Sequence, residues 1–400
     1  MKPMVPGGDR CARGLSEGEQ RLLLSVASGA WRRVFGWLSL GMALAFLAIG
    51  WWPFSPAPRN RIGWISPGPG LAFDSPGVGF TSRAVLGDGH ELPEAFSLEL
   101  VIAPRGGMRA ATQYILSLHD GRLPSAFAIC QWKAELLLRI PDAANVRGFR
   151  EVAVGGLDGP ARVYTIVCRR TGTEVFIDGQ LSGRFPHFRV PAAALCGRLV
   201  LGDAAGGKQP WSGNVFGLAL LDRELDLRHL RRRTEAWQSR QVEELLRDPG
   251  IVALFQLDDS AGRQARNAIS PGSPLELPER YGVVQKQAFS FPVSRWEFWR
   301  TGRWDAVVNL LGFVPFGLLT FLWLDLLGVR KPWRSVLIAT LVGFVWSAVI
   351  ETGQIWLPTR VSSATDLILN TSGSLVGAWL AVWWRGTFRR AGCHCTGRES

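Results

Sequence analysis

Four long runs of apolar residues occur along the chain, at residues 34–52, 306–324, 335–357 and 367–384. They are 19, 19, 23 and 18 residues long, and only the third contains a charged residue, Glu351. An α-helix needs about 20 apolar residues to cross the roughly 30 Å of hydrocarbon in a bilayer. The pattern therefore predicts four transmembrane helices.

The segment between the first two runs has a much shorter apolar period. Apolar and polar residues alternate at residues 95–103, and similar short segments follow at 113–118, 127–140, 162–167, 174–180, 199–203 and 213–221. Gly and Asp mark many of the breaks between them. Short alternating strands with turn residues between them are typical of an antiparallel β-sandwich. We place this sandwich at residues 60–285.

Composition agrees with a chain divided between lipid and water. Apolar residues make up 47% and charged residues 20%, and mean hydropathy is +0.10. These values exclude a disordered or fibrous protein, and the dense charges between residues 59 and 303 exclude a membrane protein that is apolar throughout. Many of the 18 Trp residues flank the apolar runs, where an amphipathic ring suits the bilayer interface.

The basic residues predict how the chain is oriented. The formal net charge is +12, and outside the sandwich the basic residues lie mainly in the leader (1–33), in the loop after the second helix and in the tail (385–400). The loop between the third and fourth helices has only Arg360. Since basic loops stay in the cytoplasm, we expect both termini to be cytoplasmic and the sandwich to be periplasmic or extracellular. The same scatter of charge argues against nucleic-acid binding.

The first apolar run also has some features of a signal peptide. The 33 residues before it are long for such a signal, and Pro58 would hinder cleavage after the small residues at 55–57. We therefore expect an uncleaved transmembrane anchor, in a multi-pass protein of the bacterial inner membrane.

Cysteine and metal chemistry are weakly indicated. The sandwich has three cysteines, Cys130, Cys168 and Cys196. Cys168 and Cys196 could form a disulfide in an oxidising compartment, but all three suit free, buried thiols. The tail motif at 393–395 has too few ligands for zinc. Loop aspartates could hold calcium but more often form turns; these are Asp74, Asp88 and Asp203. No other cofactor is expected.

Polar residues interrupt the last three apolar runs in a regular way. Two helix starts carry an Asp–Asn pair at i and i+4, which are Asp305 with Asn309 and Asp366 with Asn370. The third run carries Glu351 and Gln354 close to its end, before Arg360 in the loop. The predicted topology places all of these at the outer leaflet. A carboxylate in hydrocarbon is costly unless it faces the bundle or water, so we expect an outer-leaflet pocket, with interhelical hydrogen bonding as the alternative.

The sandwich resembles LamG-like (concanavalin A-like) jelly rolls. The resemblance rests on the paired segments 163–167 and 175–179, on residues 211–223 and on residues 250–262. The last segment is similar to the family's opening strand but comes late in this chain. We therefore expect a strand at the C-terminal end to close the sandwich, after a helix at about 223–247. The resemblance implies glycan binding, sometimes with calcium, although a spacer or contact module without a ligand remains open.

The helices resemble VanZ-like membrane proteins. The motif begins Asp305-x3-Asn-Leu-Leu-Gly-Phe-Val-Pro-Phe-Gly, continues with Glu351-x2-Gln and ends Pro-Thr-Arg-x5-Asp366-Leu-Ile-x-Asn-Thr-x-Gly-x3-Gly. In this chain the sandwich replaces the usual loop between the first two helices. The resemblance implies a role in the bacterial envelope, and the family's name is associated with glycopeptide-antibiotic resistance. It carries no established reaction, and the site positions that it implies are Asp305, Asn309, Glu351, Gln354, Arg360, Asp366 and Asn370.

Three functions are consistent with this sequence. The first is an envelope protein that holds a polar or phosphorylated lipid head group, with Arg360 pairing a phosphate and the sandwich contacting a glycan or an envelope protein. The second is an enzyme acting on a lipid-linked envelope precursor, with Glu351 as acid or base and Asp366 orienting it or holding a metal. The third is an adhesive or structural module that the helices merely anchor.

Overall fold

The computed structural model describes residues 17–86, 91–105, 111–145, 148–207, 209–291 and 303–395. Asp88 and the side chains of the 393–395 motif lie outside the described part. Six α-helices are labelled in chain order: α1 (Glu17–Trp51), α2 (Leu227–Ser239), α3 (Val242–Leu246), α4 (Arg303–Leu326), α5 (Pro332–Ile355) and α6 (Ala364–Cys395).

Four of these helices, α1, α4, α5 and α6, are long and apolar enough to cross a membrane. The prediction of four such helices is confirmed. They extend beyond the apolar runs because helical structure continues into polar sequence at several ends. The largest extension is α1, which begins at Glu17, while its apolar stretch covers Gly29–Trp51.

Small residues let α4 and α6 approach closely. A Cβ atom on Gly373 would meet the carbonyl oxygen of Leu310, and one on Gly377 would meet that of Val314. Gly317 makes the reciprocal approach to the backbone of Ser374. Small residues four apart are the usual device for such contacts, because helices in lipid associate largely through packing.

Aromatic and polar contacts attach α1 to the other helices. Phe46 stacks on Phe313 of α4, with ring centroids 4.6 Å apart. The indole nitrogen of Trp346, on α5, donates to the carbonyl of Ala43 at 2.8 Å. These contacts make α1 part of one four-helix bundle.

In its described residues, the segment between α1 and α4 folds into two antiparallel sheets of eight strands each. The first sheet has the order β1 (Ile62–Trp64), β2 (Leu71–Phe73), β13 (Gly213–Leu221), β4 (Phe96–Pro104), β9 (Arg162–Arg169), β10 (Gly172–Ile177) and β11 (Gln180–Phe185), with β14 (Ile251–Phe255) also paired to β13. The second has the order β15 (Gln264–Ala265), β16 (Leu275–Glu276), β3 (Gly79–Ala84), β12 (Arg198–Leu201), β5 (Gln113–His119), β6 (Phe127–Trp132), β7 (Glu135–Pro141) and β8 (Phe149–Gly155).

The sandwich core lies between these sheets. Alternate residues of β4, from Phe96 to Ile102, are fully buried there, as the period of two in a strand requires. Trp211 is also fully buried, and its indole nitrogen donates to the Gln131 side chain at 2.6 Å. The predicted sandwich and its late strand are confirmed, since Leu218–Phe255 and Leu220–Ala253 are register partners of β13 and β14.

The helical segment that follows β13 differs from the prediction. Instead of one helix at about 223–247, α2 ends at Ser239, the next residue, Arg240, has a left-handed φ of 57°, and α3 follows. A residue in this conformation cannot continue a right-handed helix. Both helices pack on the outer face of the first sheet, in a small cluster with Trp237, Leu245 and Leu254.

A buried ion pair fixes α2 to that sheet. Arg233 donates from two nitrogens to both carboxylate oxygens of Glu99, at 2.9 and 2.7 Å. Trp237 also donates to Glu99, at 2.8 Å. A buried charge is tolerated only when it is paired and hydrogen-bonded, and this arrangement satisfies the carboxylate from two directions.

The cysteines agree only in part with the prediction. Cys130, Cys168 and Cys196 are all free thiols. Cys130 and Cys168 are buried in strands, and burial raises the pKa of the Cys130 thiol to about 12. Cys196, however, is exposed. The expectation that it is buried was wrong, because it ends a short 3₁₀ turn (Ala192–Cys196) rather than lying in a strand.

We predict that Arg233→Met lowers the free energy of unfolding of the sandwich by about 3–5 kcal/mol, because Glu99 would keep a buried charge without its cation. The measurement is a guanidinium titration of the full chain in detergent. Arg228→Met is the control, since Arg228 is exposed on the same helix. Adding Glu99→Met to Arg233→Met should recover part of the loss. A loss as small as that of Arg228→Met would contradict the assigned role.

We also predict that Gly377→Ala destabilises the bundle by about 1–3 kcal/mol, since the new methyl group would overlap the Val314 backbone and force the helices apart. Gly312→Ala is the matched control, because nothing lies within 4 Å of a Cβ atom there. Unfolding by sodium dodecyl sulfate, followed by circular dichroism, compares the two. Equal stability of the two variants would show that close approach at Gly377 is unimportant.

Candidate functional site

The chain enters and leaves the sandwich through two adjacent segments, residues 58–61 and 278–281, which we call the neck. The amide of Tyr281 donates to the carbonyl of Pro58 at 2.8 Å, and that of Asn60 donates to Glu279 at 3.0 Å. The buried side chain of Asn60 donates to the carbonyls of Val78 and Pro278, both at 2.8 Å. The two connections to the bundle are therefore held side by side.

Residues 286–291, the linker, continue from the neck onto the α5–α6 loop (356–363). The ammonium group of Lys286 donates to the carbonyl oxygens of Leu357, at 2.7 Å, and of Arg360. The amide of Ser290 donates to the carbonyl of Ser362 at 2.9 Å, and the amide of Ala364 donates to the carbonyl of Ser290 at 3.1 Å. The linker thus packs on the loop as a short paired segment.

Arg360 and Gln354 both contact the end of α1. The guanidinium group of Arg360 donates to the carbonyls of Trp52, at 2.7 Å, and of Ile49, at 3.1 Å. Gln354 donates to the carbonyl of Gly50 at 3.2 Å. The last carbonyls of a helix have no intrahelical donor, and a cation there is favourable. These two predicted site residues therefore close the C-terminal end of α1.

Glu351 lies beneath the same loop. It is 2% exposed, and its carboxylate accepts a hydrogen bond from the amide of Ser363 at 2.6 Å. The hydroxyl of Ser363 accepts in turn from the amide of Asp366 at 3.2 Å, which is the usual N-cap contact at a helix start. Ser363 therefore brings Glu351 and Asp366 together.

Asn370 lies one turn further along α6. It is 4% exposed, and its amide nitrogen donates to the hydroxyl of Ser347, on α5, at 2.9 Å. Its side-chain oxygen is buried, with no hydrogen-bond donor among the residues that the structure describes. A buried acceptor left without a donor costs about 1–3 kcal/mol, so this atom is a place where a donor from outside the chain would be stabilised.

The remaining two predicted residues lie at the start of α4. Asp305 is exposed in its first turn, and Asn309 is half-buried. The seven residues are thus divided among the α1 end, the buried face between α5 and α6, and the start of α4.

Comparison with known families bears on the helices. Residues 252–385 match the VanZ/LLP1 family model. The chain therefore has a VanZ-like region, which comprises α4, α5 and α6 and also the last strands of the sandwich. The match starts well before residue 305, where the predicted VanZ-like segment begins. It leaves out α1 and most of the sandwich.

Several solved structures have a distant similarity to this chain. A Bacteroides ovatus protein proposed to bind carbohydrate is 12% identical, with a TM-score of 0.35, over 51% of this chain and 58% of its own. The CBM40 domain of a Ruminococcus gnavus sialidase, bound to sialyllactose, is also 12% identical, with a TM-score of 0.33, over 42% of this chain and 97% of its own. The receptor-binding domain of botulinum neurotoxin D is 11% identical, with a TM-score of 0.33, over 44% and 46%. The chain thus spans under two thirds of the first and third of these proteins. No curated protein matches it.

Sequence reasoning missed three residues of the VanZ-like site region. Ser347 lies four residues before Glu351 and so on the same helix face, a spacing that could have identified it. Ser363 had a signal as well, because Ser-x-x-Asp before an apolar run is a capping motif. Lys286 had no such signal in the sequence, since its contacts depend on where the linker lies in space.

Exposed aromatic side chains mark both ends of the four-helix bundle. At the end nearer the sandwich they are Trp52, Phe54, Phe291, Trp304 and Trp356, and at the other end Trp31, Trp37, Trp333, Trp383 and Trp384. Aromatic rings prefer the interface between hydrocarbon and water. Together with the four apolar helices and the VanZ-like region, these two groups describe a membrane protein.

The loop aspartates considered for calcium have protein partners. Asp74 forms an ion pair with Arg105 at 3.3 Å. Asp203 is buried and accepts from the amides of Ala204, at 2.7 Å, and Gln209, at 3.0 Å, and from the Tyr281 hydroxyl at 2.5 Å. Within the described ranges, no three His, Cys, Asp or Glu residues are grouped so that they could hold a metal ion. Burial raises the pKa of Asp203 to about 6.

Asp203 accepts a hydrogen bond from Tyr281, which belongs to the neck. We therefore expect the ionisation of Asp203 to affect the stability of the fold. A carboxyl group with a raised pKa stabilises the fold most below its unfolded pKa of 3.8, and this contribution is lost as pH rises through about 6. We predict that Asp203→Asn removes a decline of about 2 kcal/mol between pH 4 and pH 6, out of about 3 kcal/mol over the whole titration. Thermal unfolding of the full chain at four pH values measures it, with exposed Asp158→Asn as control. Parallel pH profiles for wild type and Asp203→Asn would contradict this.

Proposed function

We propose that this VanZ-like chain is a bacterial inner-membrane protein whose bundle binds the head group of a polar or lipid-linked envelope component. In this proposal its sandwich, outside the membrane, contacts a glycan or an envelope protein. Support for the orientation comes from the basic leader, from the basic residues Arg330, Lys331 and Arg334 between α4 and α5, and from the basic tail. That arrangement places the α5–α6 loop and the sandwich on the same, outer side.

The single observation that carries the proposal is the buried polar face between α5 and α6. Ser347, Glu351 and Asn370 all lie inside an apolar bundle, and no described residue donates to the side-chain oxygen of Asn370. Purely structural hydrogen bonding would favour a fully satisfied set, because unsatisfied groups in hydrocarbon are costly. A hydrogen-bond donor supplied by a ligand would satisfy the Asn370 oxygen and complete this set of polar groups.

The charged residues at this end of the bundle limit which kinds of head group can bind. Asp305, Glu351 and Asp366 lie at this end of the bundle, and each ionised carboxylate among them opposes a bare anion. The guanidinium of Arg360 already donates to two carbonyls of α1. Hydroxyl groups donate to carboxylate and amide oxygens without adding charge. We therefore favour a hydroxyl-rich head group, such as that of a glycolipid, over recognition through phosphate alone.

A specific contact keeps the enzyme hypothesis as a second candidate. The amide of Ser363 donates to the carboxylate of the buried Glu351, and the hydroxyl of Ser363 accepts from the amide of Asp366, so two acidic residues lie near each other beneath the loop. Paired carboxylates in different environments suit general acid–base chemistry. In such a reaction, Glu351 would exchange a proton with the substrate, and Asp366 would orient Glu351.

We predict that Asn370→Leu weakens binding of a glucosyl diacylglycerol by about tenfold, because the lost hydrogen bonds are worth about 1–2 kcal/mol. Native mass spectrometry of the full chain measures this, with phosphatidylglycerol as the phosphate-bearing comparison. Ser372→Ala is the control, because the Ser372 hydroxyl donates within its own helix, to Ile368.

The possible outcomes separate the hypotheses. Unchanged affinity for both lipids in Asn370→Leu would exclude this binding site and leave the bundle as an anchor. Glu351→Gln retains an acceptor for the Ser363 amide, so lipid binding should persist. If that variant binds normally yet fails to complement a deletion strain, acid–base catalysis by Glu351 is supported over simple binding.

A further inference from the structure

A groove separates the β10–β11 hairpin from α2 on the outer side of the first sheet. Its volume is about 840 Å³, within the range of small-ligand sites, about 300–1,000 Å³. The hairpin turns at Asp178 and Gly179, both with positive φ, as a two-residue Asp-Gly turn requires. A Cβ atom at Gly179 would lie 3.5 Å from the Thr234 hydroxyl oxygen. The turn therefore packs against α2 and forms part of the groove wall.

The charges that line this groove are balanced in number, and those around Glu174 are held in ion pairs. Buried Glu174 is paired with Arg169 at 2.5 Å and with Arg184 at 2.6 Å. The lining contains three acidic and three arginine side chains, Glu174, Asp178, Glu235, Arg169, Arg184 and Arg231. Opposite charges in equal number give little net field for an ion, so the groove favours an uncharged polar ligand.

Apolar and amide groups complete the chemistry. Leu181 and Leu227 line the groove from opposite sides, 48% and 60% exposed. Gln180 and Gln238 are also exposed in the lining, and each amide can both donate and accept. Exposed aliphatic surface next to fixed hydrogen-bonding groups matches a sugar ring, which has apolar C–H faces and hydroxyl edges.

The position of the groove indicates which part of an envelope molecule it could reach. β1 directly follows the neck, and β11 is the opposite edge of the same sheet, six strand spacings away. At about 4.8 Å per spacing, this is roughly 29 Å. A head group held in the bundle is not expected to extend to this groove.

Strand addition is the competing use of this edge. However, a Cβ atom on Gly183 of β11 would lie 3.0 Å from the Val154 side chain of β8. The edge strands of the two sheets, β11 and β8, therefore lie close together, and an added peptide strand would have to fit beside both. The open surface is the groove face next to α2.

From these observations we infer that the groove between β10–β11 and α2 is a binding site for an uncharged oligosaccharide. This inference rests on the glycan-binding part of the proposed function and assigns it to a definite place. Leu181 and Leu227 pack on the sugar faces, while Gln180, Gln238 and the paired carboxylate of Glu174 bond its hydroxyl groups.

Isothermal titration of the full chain in detergent tests this, with chitotetraose, maltotetraose and cellotetraose as uncharged probes and tetragalacturonate as the anionic one. At least one uncharged probe should bind, and Leu227→Ser and Gln238→Ala should each weaken it at least fivefold. Leu246→Ser is the matched control, because Leu246 is exposed in the same helical layer outside the groove. Circular dichroism confirms that each variant folds.

Three results would overturn the assignment. If an uncharged probe binds but only Trp132→Ala, on the outer face of the second sheet, weakens it, glycan binding stands and the groove is the wrong site. If only tetragalacturonate binds, the inferred neutrality is wrong. If none of the four binds while the glucosyl lipid still binds the bundle, the glycan-binding part of the proposed function fails together with the groove.

Discussion

The arrangement of this protein depends on how the C-terminal end of α1 is satisfied. Its last carbonyls have no intrahelical donors, and they lie where lipid meets water, so each needs a donor from another part of the chain. Arg360 and Gln354 supply them. Since both donors come from α5 and the loop after it, the point where the chain leaves the membrane is fixed against the VanZ-like helices.

The α5–α6 loop combines several such requirements. It receives the end of α1 through Arg360, the linker through Lys286 and Ser290, and the buried carboxylate of Glu351 through Ser363, which also caps α6. One short loop therefore determines the separation of three helices and the attachment of the sandwich. The proposed ligand face lies directly beneath it, so occupation of that face and the geometry of the loop are physically coupled.

Much of the fold could be predicted where the pattern of apolar residues along the sequence is strong. Apolar length alone identified the four helices. Alternating residues indicated β4, and short apolar segments bounded by turn residues indicated β9 and β13. The short strands β1 and β2 escaped detection because they have three residues each, and β8 because its buried positions do not alternate. The left-handed turn at Arg240 interrupts an otherwise helical sequence. Spacing placed Glu351 and Asn370 on inward faces, whereas the contact of Arg360 with α1 depends on where two distant segments meet.

The side-by-side segments of the neck have a mechanical consequence. Both leave the sandwich in the same direction, and one continues into α1 while the other leads through the linker towards α4. Tension from an envelope polymer attached to the sandwich would load both segments at once and in the same direction. It would not slide one segment past the other. The hydrogen bonds between the two segments would carry little of that load. The load would divide between α1 and α4, so the sandwich is anchored by two membrane helices instead of one.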